Sequence, residues 1–142
     1  MKKQIQSIIA ITLAFLFLIC AASCGKTTNA DTLWENAIHK ENAEFGSGAK
    51  TLAVEVKAGE KSIIFTIHTD KDTVGAALSE HGLIAGEEGP YGLYVKAVNG
   101  ITADYDVDQS YWGFYINGEL ALTGVDKTNI EEGVNYQLAY TK

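Results

Sequence analysis

Catalytic signatures are missing from this chain of 142 residues. It holds no Gly-x-Ser-x-Gly, no His-Glu-x-x-His and no phosphate loop, so no nucleophile is set beside a base in a known pattern. The three histidines, His39, His68 and His81, are too scattered to make a metal motif. Binding, not catalysis, is the expected class. Cysteine is almost absent: Cys20 and Cys24 are the only two. Removal of an N-terminal signal ahead of Cys24 leaves no pair, which excludes an internal disulfide and leaves the core to hold the domain. Basic residues are also few, 11 against 18 acidic, for a net charge of −7. Such a surface repels phosphate backbones and anionic headgroups, so nucleic acid is not an expected partner.

The N-terminus is where long apolar sequence does occur. Lys2 and Lys3 precede an uncharged run from Ile8 to Ile19. That pattern reads as a signal for export and is too short for a membrane span. Ala21-Ala22-Ser23 followed by Cys24 resembles a bacterial lipobox. Residues 1–23 are then a lipoprotein signal peptide, and Cys24 carries lipid with palmitate among its chains. Two acyl chains suffice for stable anchoring. The alternative is an ordinary signal peptide that leaves Cys24 free. The expected location is the bacterial cell membrane, lipid-anchored on its extracytoplasmic face. Loss of Lys2 and Lys3 leaves nine basic residues against 18 acidic.

Residues 24–31 are small and polar, as in a flexible tether, and residues 32–48 read as an extended N-terminal segment. From 49 to 142 the chain reads as one domain. Thr51–Lys57 and Ser62–Thr69 alternate as a hairpin around Ala58-Gly59-Glu60-Lys61. Asp72 or Thr73 can cap a short helix through Val74, Ala77, Leu78 and His81 that Gly82 ends. Ala85–Pro90 reads as a loop. Two further hairpins turn at Asn99-Gly100 and Asn117-Gly118, where the chain needs two positive-φ positions. Val134–Tyr140 is the last strand. In Tyr111–Ile116, read as the central strand, Trp112, Phe114 and Ile116 share the core face, with Tyr111, Gly113 and Tyr115 opposite. The expected fold is α+β and β-grasp-like: a mostly antiparallel sheet of hairpins with one short helix packed on one face.

Several motifs in order carry a resemblance: His81-Gly82-Leu83-Ile84, Tyr91-Gly92-Leu93-Tyr94-Val95, Val98-Asn99-Gly100-Ile101, Tyr111 through Gly118, Gly124-Val125-Asp126, and Glu132-Gly133 with Tyr136. Together they resemble the transcobalamin-like C-terminal domain family, related to the soluble-ligand-binding β-grasp superfamily and found in bacterial surface lipoproteins. The resemblance implies non-covalent capture of a small ligand, with cobalamin or another corrinoid as the example. In the vitamin B12 carriers a large helical domain completes the site. Here a partner protein or a different flat ligand would supply that half.

The candidate ligand-binding residues are Tyr91, Tyr94, Tyr111 and Tyr115, since a phenol ring can stack on a flat ligand and hydrogen-bond at its rim. Tyr105 and Trp112 are neighbouring aromatics, with Trp112 turned inward. The competing reading is that such rings complete the core and edges of a small sheet. Asp104, Asp106 and Asp108 are a candidate metal site, alternate carboxylates that could meet calcium. The twelve-residue calcium loop fails there, because Gln109 and Tyr115 stand where glycine and glutamate are required. A solvated acidic turn is the alternative. A cell-envelope protein-interaction module without a small ligand is the remaining class.

Overall fold

The structure is a computed structural model that describes residues 29–142. The expected signal peptide 1–23, the expected lipidation site Cys24 and the expected tether residues 25–28 lie outside the described residues. The elements in order are α1 (Asn29–Glu35), β1 (Ala43–Gly46), β2 (Lys50–Ala58), β3 (Lys61–Thr69), α2 (Val74–Glu80), β4 (Ile84–Gly89) and β5 (Gly92–Val98). There follow β6 (Ile101–Thr102), α3 (Tyr105–Asp108), β7 (Tyr111–Ile116), β8 (Glu119–Leu120), a 3-10 turn (Val125–Lys127) and β9 (Asn135–Thr141).

The β2–β3 hairpin, the Asn99-Gly100 turn and the Asn117-Gly118 turn form where the sequence places them. Asn99, Gly100, Asn117 and Gly118 all have positive φ. Thr73 caps α2, its hydroxyl accepting from Ala76 N at 3.2 Å, and Gly82 follows with φ 65°. These features are local, and local chemistry decides them.

The expected α+β, β-grasp-like class is corrected. The described residues are mostly β, nearly half of them in strands and under a fifth in helices, with a six-stranded and a three-stranded sheet in a sandwich-like arrangement. The larger sheet has the order β1-β3-β2-β9-β7-β8, the smaller β4-β5-β6. One cause is length, because α2 has only seven residues and cannot cover a six-stranded sheet. Another is Ala85–Pro90, expected as a loop, most of which is strand β4. It pairs antiparallel with β5 through a bulge at Ala85/Gly86. A side chain at Gly86 would collide with the Tyr94 carbonyl, so glycine there permits the pairing.

Two parallel pairings also depart from the expected sheet of hairpins: β1 runs beside β3 and β9 beside β2. As a result β7 is not central, since β9 enters between it and β2. The segment 32–48 is not simply extended either. Helix α1 includes Asn29 to Asp31, the end of the expected tether, and buries Trp34, whose Nε1 donates to the Ala58 carbonyl at 2.9 Å.

The core lies between the two sheets. Val54, Val56, Phe65, Ile67 and Leu138 of the larger sheet and Val98 and Ile101 of the smaller are buried. Each such side chain contributes roughly 1.5–3 kcal/mol. Trp112, Phe114 and partly Ile116 point inward as alternation requires, and Trp112 Nε1 donates across to the Ile101 carbonyl at 3.0 Å.

Candidate functional site

Burying one face of the larger sheet leaves its other face open. Register sets Ile64, Glu55, Gln137, Tyr115 and Leu120 abreast on β3, β2, β9, β7 and β8. Neighbours in such a row are about 4.8 Å apart. Ile64 is 45% exposed, an apolar side chain on the solvent side. Beside it Gln137 Nε2 donates to Glu55 Oε2 at 2.7 Å. That bond leaves the other carboxylate oxygen and the Gln137 carbonyl as acceptors for a bound molecule.

Tyr115 lies across Gly113: a Cβ added at Gly113 would meet Tyr115 Cε2 at 2.9 Å. The glycine therefore lets the ring lie against the sheet and stay half-buried. Tyr111 is on the same face at the far end of β7, opposite Thr141. Two clefts flank Ile64. One of about 250 Å³ is lined in part by Ala53, Glu55, Asn135 and Gln137. The other, about 380 Å³, is lined by Asn42, Ala43, Glu44, Ile64 and Thr66.

Tyr91 and Tyr94 belong to the smaller sheet. Tyr91 is at the β4–β5 turn and 83% exposed, while Tyr94 is opposite Glu87. The structure thus unites Tyr111 and Tyr115 on one face and puts Tyr91 and Tyr94 on another sheet. Tyr105 is exposed on α3.

Two of the three aspartate side chains, Asp104 and Asp108, already have hydrogen-bond partners. Asp104 caps α3, accepting from Asp106 N at 3.0 Å, and Asp106 is exposed. Asp108 accepts from the Ser110 hydroxyl and amide and pairs with Lys142 at 2.9 Å. The Ser110 hydroxyl and then Lys142 hold its carboxyl down to about 2. Among the described residues no three or more His, Cys, Asp or Glu side chains are grouped to hold a metal ion, so the calcium arrangement is not assembled.

The histidines occupy three settings. His39 packs edge-on to Phe45 and Phe65. His68 accepts or donates at both ring nitrogens, to Thr51 Oγ1 at 3.0 Å and Glu44 Oε1 at 2.8 Å. His81 packs on Phe45, and its buried Nε2 has no hydrogen-bond partner. Sequence reading missed Glu55, Gln137 and Ile64. Ile63-Ile64-Phe65 does carry a signal, because an apolar residue at the outward position breaks the strand's alternation.

No curated protein matches the chain. Among solved structures, a proposed metal binding protein from Ruminococcus gnavus ATCC 29149 shares 32% identity with a TM-score of 0.61, over 66% of this chain and 97% of its own. Haptocorrin in complex with Cbi matches 69% of this chain and 27% of its own, at 16% identity and a TM-score of 0.52. At that identity the likeness is one of fold, and it supports the transcobalamin-like resemblance at that level. A family model described as Domain of unknown function (DUF4430) matches residues 71–142, from just before α2 through β9. The chain belongs to that family.

Proposed function

We propose that this chain is a binding protein that captures a small, flat ligand without covalent chemistry on the open face of its larger sheet. The observation that carries the reading is the row Ile64, Glu55, Gln137 and Tyr115, in which an apolar residue, a fixed polar pair and a half-buried ring stand abreast. A flat molecule can lie against Ile64 and Tyr115 while its rim donors meet Glu55 and Gln137. The two solved relatives, one described as metal binding and the other holding Cbi, support a metal or cobalamin-type ligand as the class to test. A corrinoid is the first probe. In this reading Cys24 bears lipid and keeps the domain on the extracytoplasmic face of a bacterial membrane, and the chain is not an enzyme.

The test is a calorimetric titration of the full chain, in mild detergent, with aquocobalamin. One-to-one saturable heat is expected. Replacing both Tyr111 and Tyr115 by alanine should weaken it about tenfold or more, as two stacked rings at about 0.5–1.5 kcal/mol each imply. Equal affinity in a folded double variant would show that the face is misassigned. Absence of heat from the parent at high micromolar concentration would remove the corrinoid.

A further inference from the structure

On the far side of β3 from the tyrosines, an open groove of about 460 Å³ is lined by Gly46–Gly48, His68, Thr69–Lys71, Glu80 and His81. We propose that Glu80 and His81 in this groove bind a divalent transition-metal ion. His81 Nε2 is the buried side-chain polar atom without a hydrogen-bond partner among the described residues. A buried nitrogen in that state is unfavourable unless something occupies its lone pair or its proton. Glu80 Oε2 is 3.9 Å away. That is too far for a hydrogen bond; a tetrahedral zinc ion bonded to an imidazole nitrogen and a carboxylate oxygen holds them about 3.4 Å apart, so a swing of about half an ångström by the Glu80 carboxylate brings both onto one ion.

The carboxylate is already aimed. Thr69, buried, donates from Oγ1 to Glu80 Oε2 at 3.0 Å, and the same hydroxyl accepts from Lys71 N at 3.1 Å. An ionised carboxylate can only accept, so in this contact the hydroxyl proton points at Glu80. Orientation of a ligating carboxylate by such a partner is what metal sites require. The imidazole is placed with equal economy: a Cβ at Gly46 would sit 3.2 Å from His81 Nε2, so glycine leaves the ring its position. Lys71 Nζ, 4.0 Å from Glu80 Oε1 and half exposed, can swing away as the ion arrives. Water from the open groove supplies the remaining ligands, and an imidazole donor suits zinc better than calcium.

The experiment is a titration of the full chain, in detergent and metal-free buffer, with zinc chloride, read by calorimetry and by the ring nitrogen resonances of His81. One equivalent should bind, with the Nε2 resonance of His81 shifting in step with the heat. His81→Gln and Glu80→Gln should each lose at least tenfold in affinity, whereas Asp106→Asn should bind as the parent does. Zinc binding that survives His81→Gln, or saturation without movement of the His81 resonance in the parent, overturns the proposal. The resonance decides the matter even if a variant fails to fold, and its outcome is independent of any ligand on the tyrosine face.

Discussion

Asp108 uses both oxygens at once, one on Ser110 and the other on Lys142. These bonds favour the charged carboxylate, so its pKa falls from 3.8 to about 2 on folding. A depressed folded pKa means stability that is full above the unfolded value and is lost as pH falls through the folded one. Asp108→Asn keeps the side chain's shape and removes the titration. The stability gap between parent and variant, from denaturant midpoints, should therefore be constant above about pH 5 and shrink between about pH 4 and 2. A gap that does not change across that window would mean the carboxylate gains nothing from its partners. Sequence made the acidic turn visible. It could not show that Lys142, 34 positions away, takes up one of the carboxylate oxygens.

At the scale of elements, the β5–β6 turn does more than reverse the chain. Asn99 is fully buried. Its Nδ2 donates to the His39 carbonyl at 2.7 Å, its Oδ1 accepts from His39 N at 2.8 Å, and its own carbonyl accepts from Ile38 N at 2.9 Å. The turn thus clamps the segment between α1 and β1. Asn99→Ala should cost about 1–2 kcal/mol, because it removes both hydrogen bonds from the half-buried His39 N–H and C=O. It should also hasten proteolysis between Trp34 and Ala43. Asn99→Gly keeps the positive φ but not the clamp, so it should show the same proteolysis. Protection equal to the parent in both variants would deny the clamp. Asn-Gly announces a hairpin turn from its backbone preferences alone; the side-chain contact joins residues 60 apart and leaves no periodic trace.

For the whole molecule, β9 is the element that joins the rest. It is parallel to β2 on one side and antiparallel to β7 on the other, and it buries Tyr136 and Leu138. Without it the six-stranded sheet becomes two unconnected pieces and the Glu55–Gln137 pair disappears. A chain ended after Gly133 should show no cooperative thermal transition by circular dichroism and no saturable ligand heat. A cooperative melt at the parent's midpoint would mean that the sheet does not depend on β9. The pairing of the last strand with β2 is far apart in sequence, and contacts of that kind are set by overall topology.

The sequence by itself determined what neighbouring residues can decide. Alternation in Trp112–Ile116 separated core from open face, Thr73 and Gly82 bounded α2, and three short turns located three hairpins. It also brought Tyr111 and Tyr115 to one side, since residues four apart in a strand must share a face. Only the tertiary structure decided which strands share a sheet, that β4 forms from a Gly- and Glu-rich stretch, and that Tyr91 and Tyr94 stand apart from the other two tyrosines. The reason is physical. Side-chain period is a property of one strand, whereas sheet order, the Glu55–Gln137 pair and the unpartnered His81 nitrogen depend on which distant segments the common core draws together.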